Sequence, residues 1–112
     1  MIPYSNIISM NLIGINQIKQ EREEQITKHG RTVEYDVEHN GNRELSRFAG
    51  MLITKEPFLN AGISDLLLEK LSPENWDMDI KVKMFRKSYT ERLVIAGALI
   101  AAELDRLNYI EK

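Results

Sequence analysis

SYTERLVIAGALIAAELDRLNYI, residues 88–110, is the stretch that decides the fold. Ser88 and Glu91 have the spacing of a capping box, in which a serine hydroxyl and a glutamate carboxylate satisfy N–H groups that a new helix leaves bare. Beyond the box, Leu93, Ala96, Gly97, Ile100, Leu104 and Leu107 recur at helical spacing and define one apolar side, widened by Ala98, Ala101 and Ala102. This predicts a helix from Ser88 to near Ile110, packed through that side. Gly97 costs about 1 kcal/mol relative to alanine in a helix interior, so its presence predicts close approach by another helix. The apolar run Leu93 to Ala102 is about half the roughly 20 residues that a membrane span needs. No membrane partner is expected.

Working outward, a second long helix precedes it. Ile7, Ile8, Asn11, Leu12, Ile15 and Ile18 repeat at helical spacing, and the pattern runs on through Arg22 and Ile26 to Gly30. Glycine suits the position just past a helix end, and Lys28 and His29 place positive charge in the last turn, where the helix dipole favours it. The predicted helix spans Ser5 to His29. Arg31 to Asn42 reads as a polar connection, with Gly41 between two asparagines as a turn signal. Asn42 to Lys55 reads as a helix with the stripe Leu45, Phe48, Ala49, Leu52 and Ile53, and Pro57 stops it. Phe58 to Leu71 is a third helical segment, and Ser72-Pro73-Glu74 has the form of a helix start. Asn75 to Phe85 alternates at Ile80, Val82 and Met84, which fits a short extended stretch or a strained loop. The expected architecture is all-α, a small bundle of four to five helices forming a single helical domain over residues 1–112.

Composition agrees with that scale. A chain of 112 residues, 43% hydrophobic, suits one domain with a real core. The absence of cysteine excludes disulfides and thiolate metal sites. A net charge of −2 argues against an extended nucleic-acid partner. Met1 to Gly14 has neither the basic leader nor the small-residue cleavage site of a signal peptide, and a cytoplasmic location is expected. No G-x-S-x-G elbow or P-loop is present.

Three polar segments can carry chemistry. Glu21 and Gln25 share a helix face beside Arg22. They form either a solvated face with ion pairs to Lys19 and Lys28 or a polar cluster aimed at a ligand. Asp36 and His39, three apart, can hold a metal or orient each other, with Glu44 or Glu21 completing the set; the plain alternative is local turn bonding by Asp36 and an exposed His39. Glu103 lies beside the apolar stripe of the last helix, pointing partly inward or pairing with Arg106, while Asp105 and Arg106 are expected to face water. Trp76 reads as a core or lid residue rather than a base-stacking platform.

Two of these segments also resemble a known group. Glu21-Arg22-Glu23-Glu24-Gln25, with Gly30, Thr32, Asp36, His39 and Glu44-Leu45, is similar to the opening of a family of small phage and prophage proteins. Leu93 to Ile100 with Ala102 to Leu107 resembles that family's closing helix. Some members are described as similar to all-α MazG-like nucleoside triphosphate pyrophosphohydrolases. The resemblance implies an all-α bundle, a phage origin and a nucleotide ligand. The sequence departs from the MazG-like pattern where magnesium would be held: Thr27 ends what would be an EExxE motif, and Glu103-Leu104-Asp105 lacks the ExxD spacing. The turn before Glu44 carries Asn42-Arg43 where the phage family has glycine.

The leading expectation is a phage-type helical protein that binds a nucleotide or nucleotide-derived small molecule without turnover and without a cofactor. Glu21, Arg22, Gln25, Asp36, His39, Glu44 and Glu103 would form the ligand-binding set. One alternative is a divergent pyrophosphohydrolase with Mg²⁺ on Glu21, Glu24, Glu44 and Glu103. Another is a non-catalytic homo-oligomer joined through the last helix.

Overall fold

The computed structural model describes residues 12–54, 73 and 76–111. Among them are five helices and no strand: α1 (Ile13–His29), α2 (Val33–His39), α3 (Glu44–Ile53), α4 (Met78–Phe85) and α5 (Tyr89–Ile110). The all-α expectation holds. The predicted helix over Phe58 to Leu71, and the predicted start of the first helix before Leu12, lie outside the described residues.

Helix α5 is the axis of the bundle, with α3, α1, α2 and α4 all packed on it. It begins as the capping box requires: the Ser88 hydroxyl accepts the Glu91 N–H at 3.3 Å and donates to the Glu91 carboxylate at 2.9 Å. Leu45, Phe48, Ala49, Met51 and Leu52 of α3 meet Ile95, Ala96, Leu99 and Ala102 of α5, and Trp76 closes the core with its ring edge-on to Phe48 at 5.7 Å. Alanines at the α5 contact let the larger α3 side chains reach in, the interdigitation on which dense packing depends.

The buried side of α5 differs from the expected stripe. Leu93, Ile100, Leu104 and Leu107 are 39%, 44%, 55% and 37% exposed, whereas Ile95, Ala96, Ala98, Leu99 and Ala102 are buried. This helix is apolar almost all round, so spacing alone selects no face. The charged residues on the core side reveal why: Arg92, Glu103 and Arg106 are buried with it. Arg92 donates to the Leu52 carbonyl at 2.6 Å and to the Lys87 carbonyl at 3.1 Å. The first bond answers a carbonyl in the last turn of α3, where helical partners run out.

Two further expectations are corrected. Arg31 to Asn42 contains a helix, α2, because Thr32 caps it by accepting the Tyr35 N–H at 3.2 Å. Residues 78–85 are helical rather than extended, with Asp77 as cap, accepting from the Asp79 N–H at 3.4 Å. Val82, Met84 and Phe85 pack at the core margin of this short helix.

Gly97 fulfils the close-approach expectation, and the neighbour is Ile18 of α1. A Cβ at residue 97 would sit 2.5 Å from Ile18 Cδ1 and 2.8 Å from Cγ1. Gly97→Ala gains about 1 kcal/mol of helix propensity but overpacks by more. A net loss of about 1 kcal/mol is expected in urea unfolding, and a coupling of similar size with Ile18→Ala in a double-mutant cycle. At the start of α3, Arg43 has φ of 66°, the left-handed region. That conformation costs a non-glycine residue roughly 1–2 kcal/mol, so Arg43→Gly should raise stability by about 0.5–1 kcal/mol after the extra freedom of the unfolded chain is counted.

Candidate functional site

The site is assembled by a chain reversal. Gly30 has φ of 66°, and its N–H and that of Arg31 bond to the Ile26 and Gln25 carbonyls at 3.1 and 3.0 Å. This paired closure ends α1 and folds the chain back. Thr32 then starts α2, which brings Asp36 and, one turn later, Asn40 into the interior. Asn40 Nδ2 donates to Asp36 Oδ1 at 2.9 Å.

Three elements contribute to the resulting polar junction. From α1, Arg22 donates through Nη1 to the Arg31 carbonyl at 2.9 Å, and its Nε lies 3.4 Å from Asp105 Oδ2 on α5. Gln25 stands one turn further along α1, also buried. From α5, Glu103 and Arg106 form a buried ion pair. The Arg31 guanidinium lies 3.9 Å from the centre of the Trp76 ring, a cation–π arrangement that joins the junction to the apolar core.

The electrostatics follow from burial. Asp36 is 1% exposed, and desolvation raises its pKa above the ordinary 3.8. Asn40, Arg22 and Arg31 pull it down, and Glu103 adds to the rise. Burial lowers the Arg31 pKa, against the opposing pull of Asp36. Five buried polar atoms find no hydrogen-bond partner among the described residues: Gln25 Nε2, Arg31 Nη1, Asp36 Oδ2, Asn40 Oδ1 and Trp76 Nε1. Buried polar groups are otherwise satisfied almost without exception, and leaving one bare costs about 1–3 kcal/mol. Donors and acceptors are both present in this group.

Of the seven expected site residues, Arg22, Gln25, Asp36 and Glu103 belong to this junction. Glu21 lies on the other flank of α1, beside Gln17, Gln20 and Glu24. With Lys87 and Glu91 they line an open groove of about 300 Å³ between α1 and the first half of α5. Burial, with Glu24 beside it, raises the Glu21 pKa. His39 is exposed, with Nδ1 3.0 Å from the Tyr35 carbonyl and its ring stacked on Tyr35 at 4.2 Å. Asp36 points inward from the same short helix, so the two do not act as a pair. Glu44 accepts the Asn42 N–H at 2.5 Å and serves the start of α3. Among the described residues no three His, Asp or Glu side chains are grouped to hold a metal ion, and Glu21, Glu24, Glu44 and Glu103 form no common cradle.

Arg31, Asn40 and Arg106 were not in the expected set. Arg31 directly follows the helix-ending glycine, a position whose side chain often packs back on the helix it leaves. Asn40 lies four residues after Asp36, the spacing of a helical neighbour. Arg106 is buried rather than solvent-facing, because its partner Glu103 is buried too.

In comparisons with known proteins, the chain matches no family model, no curated protein and no solved structure. Among the described residues, no helix is long and apolar enough to cross a membrane.

The raised Asp36 pKa fixes a sign. Between the ordinary value of 3.8 and the raised folded value, the folded protein binds more protons than the unfolded chain, so stability falls as pH rises through this interval. Urea unfolding across the acid range should show this fall in the wild type, and Asp36→Asn should flatten it.

Proposed function

We propose that this protein binds a nucleotide or nucleotide-derived small molecule at the α1–α2–α5 junction and retains it without turnover. The observation that carries the reading is the set of buried polar atoms without partners around Arg31, Asp36 and Asn40. A nucleobase edge presents donors and acceptors side by side, the complement of a site holding Gln25 Nε2 and Arg31 Nη1 as donors and Asp36 Oδ2 and Asn40 Oδ1 as acceptors. Arg22 and Arg106 add planar guanidinium groups suited to phosphate or carboxylate oxygens. Trp76, already stacked with Arg31, borders the site with an aromatic wall. Arg22 and Gln25 are the buried residues of α1, and Ile18 of the same helix packs against Gly97. The absence of turnover rests on the departures from the MazG-like motifs at Thr27 and Glu103.

Thermal unfolding with a panel of nucleoside mono-, di- and triphosphates and cyclic nucleotides tests this reading. A ligand at about one hundred times its dissociation constant adds about 2.7 kcal/mol to stability, a rise of several degrees in Tm. The rise should be absent in Arg31→Ala and Asp36→Ala, and phosphate release should stay at background with Mg²⁺ present. No shift with any member of the panel would refute nucleotide binding; release lost on Glu103→Gln would replace it with catalysis.

A further inference from the structure

Asp36 and Asn40 are joined by one hydrogen bond where their chemistry allows two. Asn40 Nδ2 donates to Asp36 Oδ1 at 2.9 Å, which uses one oxygen of the carboxyl group and the nitrogen of the amide. Asp36 Oδ2 and Asn40 Oδ1 are the atoms left over, both buried and both without a partner. Two acceptors cannot satisfy each other. A protonated carboxyl group, however, donates through one oxygen and accepts through the other, and an amide donates through nitrogen and accepts through oxygen. A single proton on Oδ2 therefore serves both bare atoms.

We propose that Asp36 and Asn40 form a proton switch: in the acid form Asp36 Oδ2 carries a proton and donates it to Asn40 Oδ1, and in the basic form Arg31 takes Oδ2 instead. The surroundings suit both positions. Asp36 makes no ion pair among the described residues, and a buried carboxyl group without one resists ionisation. Desolvation raises its pKa accordingly. The groups facing it are Arg22 of α1, Arg31 of the turn and Glu103 of α5. Glu103 is paired with Arg106, and Arg22 is held by the Arg31 carbonyl and Asp105. Arg31 is the cation of this group with a bare nitrogen, Nη1, and its guanidinium lies 3.9 Å from the centre of the Trp76 ring. Tyr35 and Glu21 act on it more weakly than Asp36 or its own burial, in that order. Loss of the proton sets a full negative charge near this cation. Movement of Arg31 off Trp76 then satisfies Nη1 and Oδ2 together, the condition for keeping a buried charge.

The switch requires no ligand. Where the nucleotide reading holds, a base that donates to these oxygens competes with the proton, so affinity rises with pH.

Trp76 is the single tryptophan of the chain, and its fluorescence reports the position of Arg31. Between about pH 3 and 8, the wild type should show a fluorescence transition with a midpoint above 3.8. By NMR, the Asp36 carboxyl carbon and the Asn40 side-chain amide should titrate with that same midpoint. Asp36→Asn replaces the protonated carboxyl group with a neutral amide that donates in its place, and it should keep the acid-form fluorescence at every pH. Glu103→Gln should retain the transition. An Asp36 carbon that titrates at or below 3.8 overturns the switch. So does a Trp76 signal that is flat with pH, that still titrates in Asp36→Asn, or that is lost in Glu103→Gln. If Asp36→Asn does not fold, the wild-type NMR decides, and separate midpoints for Asp36 and Asn40 refute the pairing. No nucleotide is present in these measurements, so their outcome and that of the nucleotide panel are independent.

Discussion

Three charged side chains lie on the buried side of α5, and the rest of the bundle is arranged around satisfying them. An unpaired buried charge is far more costly than any single apolar contact is favourable. Arg92 therefore fixes the end of α3, because its donors occupy the Leu52 and Lys87 carbonyls. Glu103 and Arg106 neutralise each other within α5, and Asp105 beside them is met by Arg22 of α1. The alanines between these groups bring α3 close enough for Phe48 and Leu52 to fill the core. Helix α5 thus organises the protein as much through its charges as through its hydrophobic surface.

The polar junction is an extension of the same constraint. Arg22 serves two elements at once, through the Arg31 carbonyl and through Asp105. Asp36 is held among Arg22, Arg31 and Glu103, so its charge state is set by residues from α1, α5 and the turn between α1 and α2. The apolar core and the junction meet where Arg31 lies over Trp76. Bare polar atoms lie on one side of that contact and the packed rings of Trp76 and Phe48 on the other.

How much of this was legible in the residues depended on whether the signal was local. The Ser88–Glu91 box and the Gly30 ending act within a few residues, and both stand where the sequence places them. The apolar side of α5 is hard to read because Leu93, Ile100, Leu104 and Leu107 outweigh alanines in any count of hydrophobicity, although Ala96 and Ala102, with Ile95 and Leu99, face α3. Helix α2 was hidden by turn-forming residues such as Asn40 and Gly41, with only Thr32 to announce it. In α4, alternating Ile80, Val82 and Met84 imitate a strand, and Asp77 was the overlooked cap. Arg22 stands in the apolar repeat of α1 and Glu103 beside the stripe of α5, Gln25 is a helical turn from Glu21, and Asp36 is marked only by its spacing to His39 on a polar stretch. His39 and Glu44 were not separable from them, because spacing does not say whether a side chain on a short helix turns inward or serves its own backbone.

The left-handed Gly30 turn has a further consequence for how the protein acquires its structure. Arg22, Gln25, Arg31, Asp36 and Asn40 come from one continuous stretch of chain, and the reversal at Gly30 folds that stretch onto itself. Closing so short a loop carries little entropic cost, and contacts of low sequence separation form quickly. Most of the junction is therefore local in sequence, and Glu103 and Arg106 are its contributions from the distant α5. The cost of closing a long loop falls on the contacts with α5, which unite the apolar core and the junction.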